Sequence, residues 1–174
     1  AKEPGYEFTR QLEHYDVRLL SEYIFEHPKI RKLNITGPGG DMDAARKIAE
    51  VLITHNIDTV AYGKCYSACT LIFLGGQSRT LEADAELGFH RQWVNPTMHK
   101  KNFDALQDVM EWKNEFEYLT YIYNKLNSKL VGDIQYMDDR GVAFNFIMRT
   151  ISTEVFDMWT PSREVLLAAG VLTE

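Results

Sequence analysis

The sequence predicts an α/β fold, on three observations. Two short β-branched runs, at 30–35 and 57–62, flank a stretch whose apolar residues recur at helical spacing. Each run ends in a glycine-bearing turn, Gly37-Pro38-Gly39-Gly40 after the first and Gly63 after the second, and another helical pattern follows. Beyond Pro96 the pattern becomes helical and long. Repeated strand and helix units with a long helix in the C-terminal half are therefore expected. With 174 residues and 45% hydrophobic content the chain suffices for one core, so a single domain over 1–174 is expected.

In order, a short extended piece is expected around Tyr6 to Phe8, then a helix over 16–26 with Val17, Leu20, Tyr23 and Ile24 on one face, ended by His27-Pro28. A strand over 30–35 breaks at the Gly-Pro-Gly-Gly turn. Asp41 then caps a helix whose buried stripe is Ala44, Ile48, Val51 and Leu52. The second strand, 57–62, is reached after that helix, so the two are expected to be parallel. From Ser67 to Leu74 the chain is apolar enough for a buried helix, stopped by Gly75-Gly76. Short strands are expected at 79–81 and 86–91. Val109, Trp112, Phe116, Leu119, Tyr123, Leu126 and Leu130 alternate at spacings of three and four, a heptad seam that predicts one long helix over 103–130 for packing or for oligomerisation. Helical character resumes after Gly132 through Met148, and a terminal helix over 162–169 closes at Gly170.

The formal charge of −6 gives no basic footprint, so nucleic acid and anionic membranes are not expected partners. No apolar run approaches the roughly 20 residues of a spanning helix, so no transmembrane segment is expected. The two cysteines, Cys65 and Cys69, sit on either side of Ser67. With His90 they fall short of the four ligands of a structural zinc site, so no metal is expected. Two readings stay open for them: a disulfide, if Cys65 ends a strand and Cys69 lies in the first helical turn, or two small buried thiols. A disulfide implies an oxidising, exported location; thiols leave a cytoplasmic one.

The chemistry is concentrated in Gly63-Lys64-Cys65-Tyr66-Ser67-Ala68-Cys69, in Leu87-Gly88-Phe89-His90 and in Asn34-Ile35-Thr36-Gly37-Pro38-Gly39-Gly40. They offer a serine nucleophile, a histidine base and glycine amides that can approach a reacting oxygen, the parts acyl transfer requires, with no cofactor. Each alone has a plainer reading: Ser67 as a helix N-cap, His90 as a core or surface residue, the glycines as a turn.

Taken together and in this order, the three motifs resemble those of the Clp protease proteolytic subunit family, within the Clp/crotonase superfamily. Asp58-Thr59-Val60, Cys65-Tyr66-Ser67-Ala68-Cys69-Thr70, Phe73, Gly75, Arg79 and Leu87-Gly88-Phe89-His90 are most similar to its exported, periplasmic group. The resemblance covers 15–92 well and 161–173 more loosely. It implies a Clp/crotonase-like fold, a serine peptidase acting on peptides or proteins, and a homo-oligomer. It makes Ser67 the nucleophile, His90 the general base, and the backbone amides of Gly40 and Ala68 the oxyanion hole. It also implies a substrate groove around Trp93, Met98 and Phe103, with a preference for apolar side chains.

The family's third catalytic residue is an aspartate ahead of the C-terminal motif, and counting back from Thr160 puts Phe156 in its place. Asp157 is one residue off, and in a strand that shift turns a side chain to the opposite face. Asp157 is the nearest acid, with Glu154 and the Asp138-Asp139 pair behind it; the alternative is a Ser-His dyad whose imidazole is oriented by a backbone carbonyl or by Ser152. Two further functional classes compete with the peptidase. An inactive interaction module would keep the fold and assemble through the heptad stripe, and a crotonase-type acyl-thioester enzyme would share the oxyanion hole without needing Ser67.

Overall fold

The computed structural model describes residues 10–174. The extended piece expected at Tyr6 to Phe8 lies outside the described residues. The order is α1 (His14–Glu26), β1 (Lys32–Gly37), α2 (Met42–Thr54), β2 (Asp58–Tyr66), α3 (Ala68–Leu74), β3 (Arg79–Leu81), β4 (Glu86–Gly88), α4 (Pro96–Leu106), α5 (Glu115–Asp139), α6 (Phe144–Ser152) and α7 (Arg163–Ala168). This is the expected α/β pattern, with a parallel sheet and a long helix in the C-terminal half.

Among the described residues β2 is the centre of the sheet, and every pairing it makes is parallel. β1 lies along one edge. On the other edge β3 and β4 follow one another, β3 opposite Thr59 to Ala61 and β4 opposite Lys64 to Tyr66. β2 thus runs four residues beyond the strand expected at 57–62. The reason is a bulge: Ile35 pairs with Ala61 but Gly37 pairs with Cys65, and Gly63 at φ 56° absorbs the extra residues. Beyond the bulge, Cys65 and Tyr66 pair with β4, which points the end of β2 toward the chain that carries His90.

Alternation along β1 buries Leu33 and Ile35, which share one core with Ala44, Ala45, Ile48 and Leu52 of α2. Asp41 caps α2 by accepting from the Ala44 amide at 2.7 Å. α3 is buried at every position, in keeping with a sequence that is apolar except at Thr70, whose hydroxyl is hydrogen-bonded. Its end is held by α5 and the residue after it: the Tyr136 hydroxyl donates to the Leu71 carbonyl at 2.7 Å, and Arg140 donates to those of Leu74 and Gly76 at 2.8 and 2.7 Å.

The long helix departs from its expected bounds. The 103–130 stretch is divided between the last turn of α4 and most of α5, and α5 continues through Gly132 to Asp139. Between them the chain turns, with Glu111 at φ 57° and the Trp112 amide donating to Gln107 at 2.9 Å. Asn114 then caps α5 by accepting from the amides of Phe116 and Glu117 at 3.0 and 3.1 Å, while Glu117 accepts from the Lys113 amide at 2.9 Å. Val109 and Trp112 therefore precede the helix, and Trp112 folds onto Tyr118 with ring centroids 4.9 Å apart. No helix among the described residues is long and apolar enough to cross a membrane.

Candidate active site

Ser67 is the single residue between β2 and α3, with φ 54° and ψ −127°. An L-residue rarely adopts a positive φ, and here the surroundings impose it. Its amide donates to the Gly88 carbonyl at 2.8 Å, and its carbonyl accepts from the Thr70 amide at 2.9 Å and the Thr70 hydroxyl at 2.7 Å. The side chain is half-buried and does not cap α3. The N-cap reading of Ser67 thus fails at the hydroxyl, which makes no hydrogen bond among the described residues. A serine on a sharp strand-to-helix turn with a free hydroxyl is the arrangement of a nucleophile elbow, where the following amide faces the developing oxyanion.

The glycine turn packs directly against this elbow. A Cβ on Gly39 would lie 2.8 Å from the Ser67 Cβ and 3.0 Å from the Ala68 nitrogen, and its φ of +97° excludes other residues as well. Leu12 holds the turn from the opposite side, donating to the Gly39 carbonyl at 2.8 Å and accepting from the Asp41 amide at 2.9 Å. In a parallel ladder this pattern turns the amide and carbonyl of Gly40 away from Leu12. Among the described residues neither the Gly40 nor the Ala68 amide donates a hydrogen bond to another group.

His90 follows β4 and is half-buried. The residues around it are tied to the C-terminal segment. Phe89 and Trp159 exchange two backbone hydrogen bonds, of 2.9 and 3.0 Å, and the Arg91 amide donates to the Thr153 carbonyl at 3.0 Å. The Arg91 side chain pairs with Glu154. The His90 Nδ1 lies 2.7 Å from the Arg91 carbonyl oxygen. A carbonyl only accepts, so Nδ1 is the donor, and the neutral ring presents Nε2 as an acceptor.

The structure does not join Asp157 to His90. Asp157 is exposed in the turn before Trp159, its amide donating to the Glu154 carbonyl at 3.0 Å. Glu154 is engaged by Arg91, Asp139 accepts from Gln135 at 2.9 Å, and the Ser152 hydroxyl donates to the Met148 carbonyl at 2.7 Å. Of the orienting groups anticipated, the backbone carbonyl is the one in contact. Nor is Ser67 hydrogen-bonded to His90; Ser67 reaches the strand leading to His90 through Gly88. The sequence does not announce the contributions of Leu12, Gly88, Thr70 and Arg91. Three of the four act mainly through backbone atoms, which leave no mark in side-chain identity.

Cys65 and Cys69 are joined in a disulfide, with Cα atoms 5.3 Å apart. Tyr66, between Cys65 and Ser67, donates its hydroxyl to Glu86 at 2.5 Å, and partial burial together with that carboxylate pushes the phenol up to about 12.

Among solved structures the chain is similar to a point mutant of ClpP1 from Listeria monocytogenes, with a TM-score of 0.65 and 12% identity over 98% of this chain and 89% of that one. No protein-family model and no curated protein matches the sequence. A likeness at this identity carries the fold: the chain is folded as a Clp protease proteolytic subunit is.

Proposed function

We propose that this protein is a serine hydrolase, and specifically a peptidase, working through a Ser67-His90 dyad. The observation that carries it is the backbone of Ser67, held at φ 54° on the strand-to-helix turn with its hydroxyl released from capping. His90 Nε2 takes the Ser67 proton as Oγ attacks the substrate carbonyl carbon. The resulting oxyanion accepts hydrogen bonds from the Gly40 and Ala68 amides, and removing one donor of this kind typically raises a barrier by about 2.7–4 kcal/mol. Collapse transfers the proton from His90 to the leaving amine and leaves an acyl-Ser67 ester. Water, deprotonated by His90, then hydrolyses that ester. The Arg91 carbonyl keeps the ring in the required tautomer, which is the main task of a third catalytic residue.

Two broader assignments accompany this reading. The disulfide favours an oxidising, exported location. The α5 side chains Phe116 and Leu119, 78% and 61% exposed in the single chain, together with Tyr123 and Leu130 favour a homo-oligomer that covers them.

A fluorophosphonate probe followed by peptide mapping tests the chemistry. Modification at Ser67, absent in Ser67→Ala and strongly slowed in His90→Ala, is the expected result. An assembled protein that remains unmodified would favour an interaction module. Turnover of acyl-thioesters that survives Ser67→Ala would favour the crotonase-type reaction.

A further inference from the structure

We infer that the Cys65–Cys69 disulfide positions Ser67 for attack, so that oxidation of the two thiols completes the site; this rests on the reading of Ser67 as nucleophile. Ser67 is the middle residue of the covalent loop that the bridge closes, two residues from each cysteine. One end of the loop is anchored in the sheet. Cys65 registers against Gly37 at the start of the glycine turn and against Leu87, three residues before His90. The other end, Cys69, lies in the first turn of α3. The bridge therefore sets the separation of the strand end and the helix start across which Ser67 holds its positive φ.

The hydrogen bonds at Ser67 secure its amide to Gly88 and its carbonyl to Thr70, but neither spans the elbow. Apart from the backbone of the turn itself, only the bridge links the two sides covalently. Two thiols need more room than a bonded pair. Cys65 is 0% and Cys69 3% exposed, so the surrounding core offers little. The room must come from the turn between them, whose central residue is Ser67. Both cysteines are thus positioning residues.

The chemistry balances as a thiol–disulfide exchange. The two thiols lose two protons and two electrons as the S–S bond forms, and a disulfide oxidant, such as glutathione disulfide or the disulfide of a protein oxidase, receives both and leaves as two thiols. A chain made in a reducing compartment would carry a mis-set serine, and the oxidising compartment would set it. Burial then shields the bond from returning reductant.

The full chain refolded with and without thiol reductant, and a Cys65→Ala/Cys69→Ala variant, are followed with the fluorophosphonate probe for both rate and endpoint. Bridged protein should react fastest. Unbridged forms should reach the same endpoint between about 10- and 100-fold more slowly, as small displacements of reacting groups do. Glutathione disulfide should restore the reduced wild type and leave the double variant slow. Equal rates overturn the inference and leave the nucleophile standing. A lower endpoint at unchanged rate also overturns it, because the bridge would then only keep the chain folded; circular dichroism of the reduced wild type and of Cys69→Ala reads the folded fraction if the double variant is unstable. No reaction in any form removes the inference and the nucleophile together.

Discussion

Gly39 shows how a missing side chain builds the site. Its φ of +97° and a Cβ position 2.8 Å from both the Ser67 Cβ and the Tyr66 carbonyl leave an alanine no accommodation except by moving the elbow. Gly39→Ala is expected to destabilise by roughly 1–3 kcal/mol and to abolish fluorophosphonate reaction at Ser67, both measured on one preparation by thermal unfolding and mass spectrometry. Asp157 is the opposite case. Exposed and without a hydrogen bond to His90, it should tolerate Asp157→Asn with probe reaction rates changed by no more than about twofold, the scale of a neutral surface substitution. A tenfold fall would restore it as the orienting acid. Ser67, His90 and the glycine turn were legible in the sequence because the proposed chemistry depends on their side chains, or on the lack of one. The hydrogen-bond partner of His90 was anticipated only as one alternative among several, because the group in contact is the carbonyl of Arg91, which any residue supplies.

At the scale of elements, propensity and packing compete along α5. The heptad spacing drew Val109 and Trp112 into the expected helix, while Asn114 followed three residues later by Glu117 is an N-terminal signature that the structure obeys. The strand extension past Gly63 was less legible, since it depends on a bulge and on pairing with β4, both products of tertiary structure. Gly132 is a readable weakness inside the helix. Nothing lies within 4 Å of the Cβ it lacks, so Gly132→Ala should stabilise by about 0.5–1 kcal/mol in urea unfolding. Its neighbour Asp133 ties α5 to α2 through Arg46 at 3.1 Å, yet burial outweighs that attraction and raises the carboxyl above its ordinary 3.8. A carboxyl that titrates higher in the folded chain opposes folding when ionised. The penalty is absent below the unfolded value, grows as pH rises through the interval to the folded value, and is constant above it. Wild type should therefore gain stability relative to Asp133→Asn as the pH is lowered from about 7 to about 4; a relative loss would mean that the Arg46 pair dominates.

For the whole molecule, the question is what fastens the C-terminal segment that supports His90 to the sheet that carries Ser67. Much of the answer runs through one buried cation. Arg79, 5% exposed on β3, donates from Nε to the Val171 carbonyl at 2.9 Å and from one terminal nitrogen to the carbonyls of Gly170 at 2.8 Å and Arg140 at 3.1 Å. Burial, with the Arg140 charge nearby, lowers its pKa, and the carbonyl dipoles around the guanidinium are what make the buried charge tolerable. These bonds gather the end of α5, the turn after α7 and the sheet edge at one point. Arg79→Ala leaves three carbonyls short of a donor and is expected to destabilise by roughly 3 kcal/mol or more, since hydrogen bonds to charged groups contribute about 1.5–3 kcal/mol each and do not add fully. For a chain of this size that corresponds to a fall of about 6–12 °C in Tm. Arg79→Lys should recover little, because an ammonium on a flexible stem cannot reproduce the planar fork that reaches Val171 and Gly170 together. If alanine and lysine variants both melt within about 2 °C of wild type, the C-terminal segment is held by its apolar contacts, Leu166, Val171 and Leu172 in the core, and Arg79 merely fills the space between them.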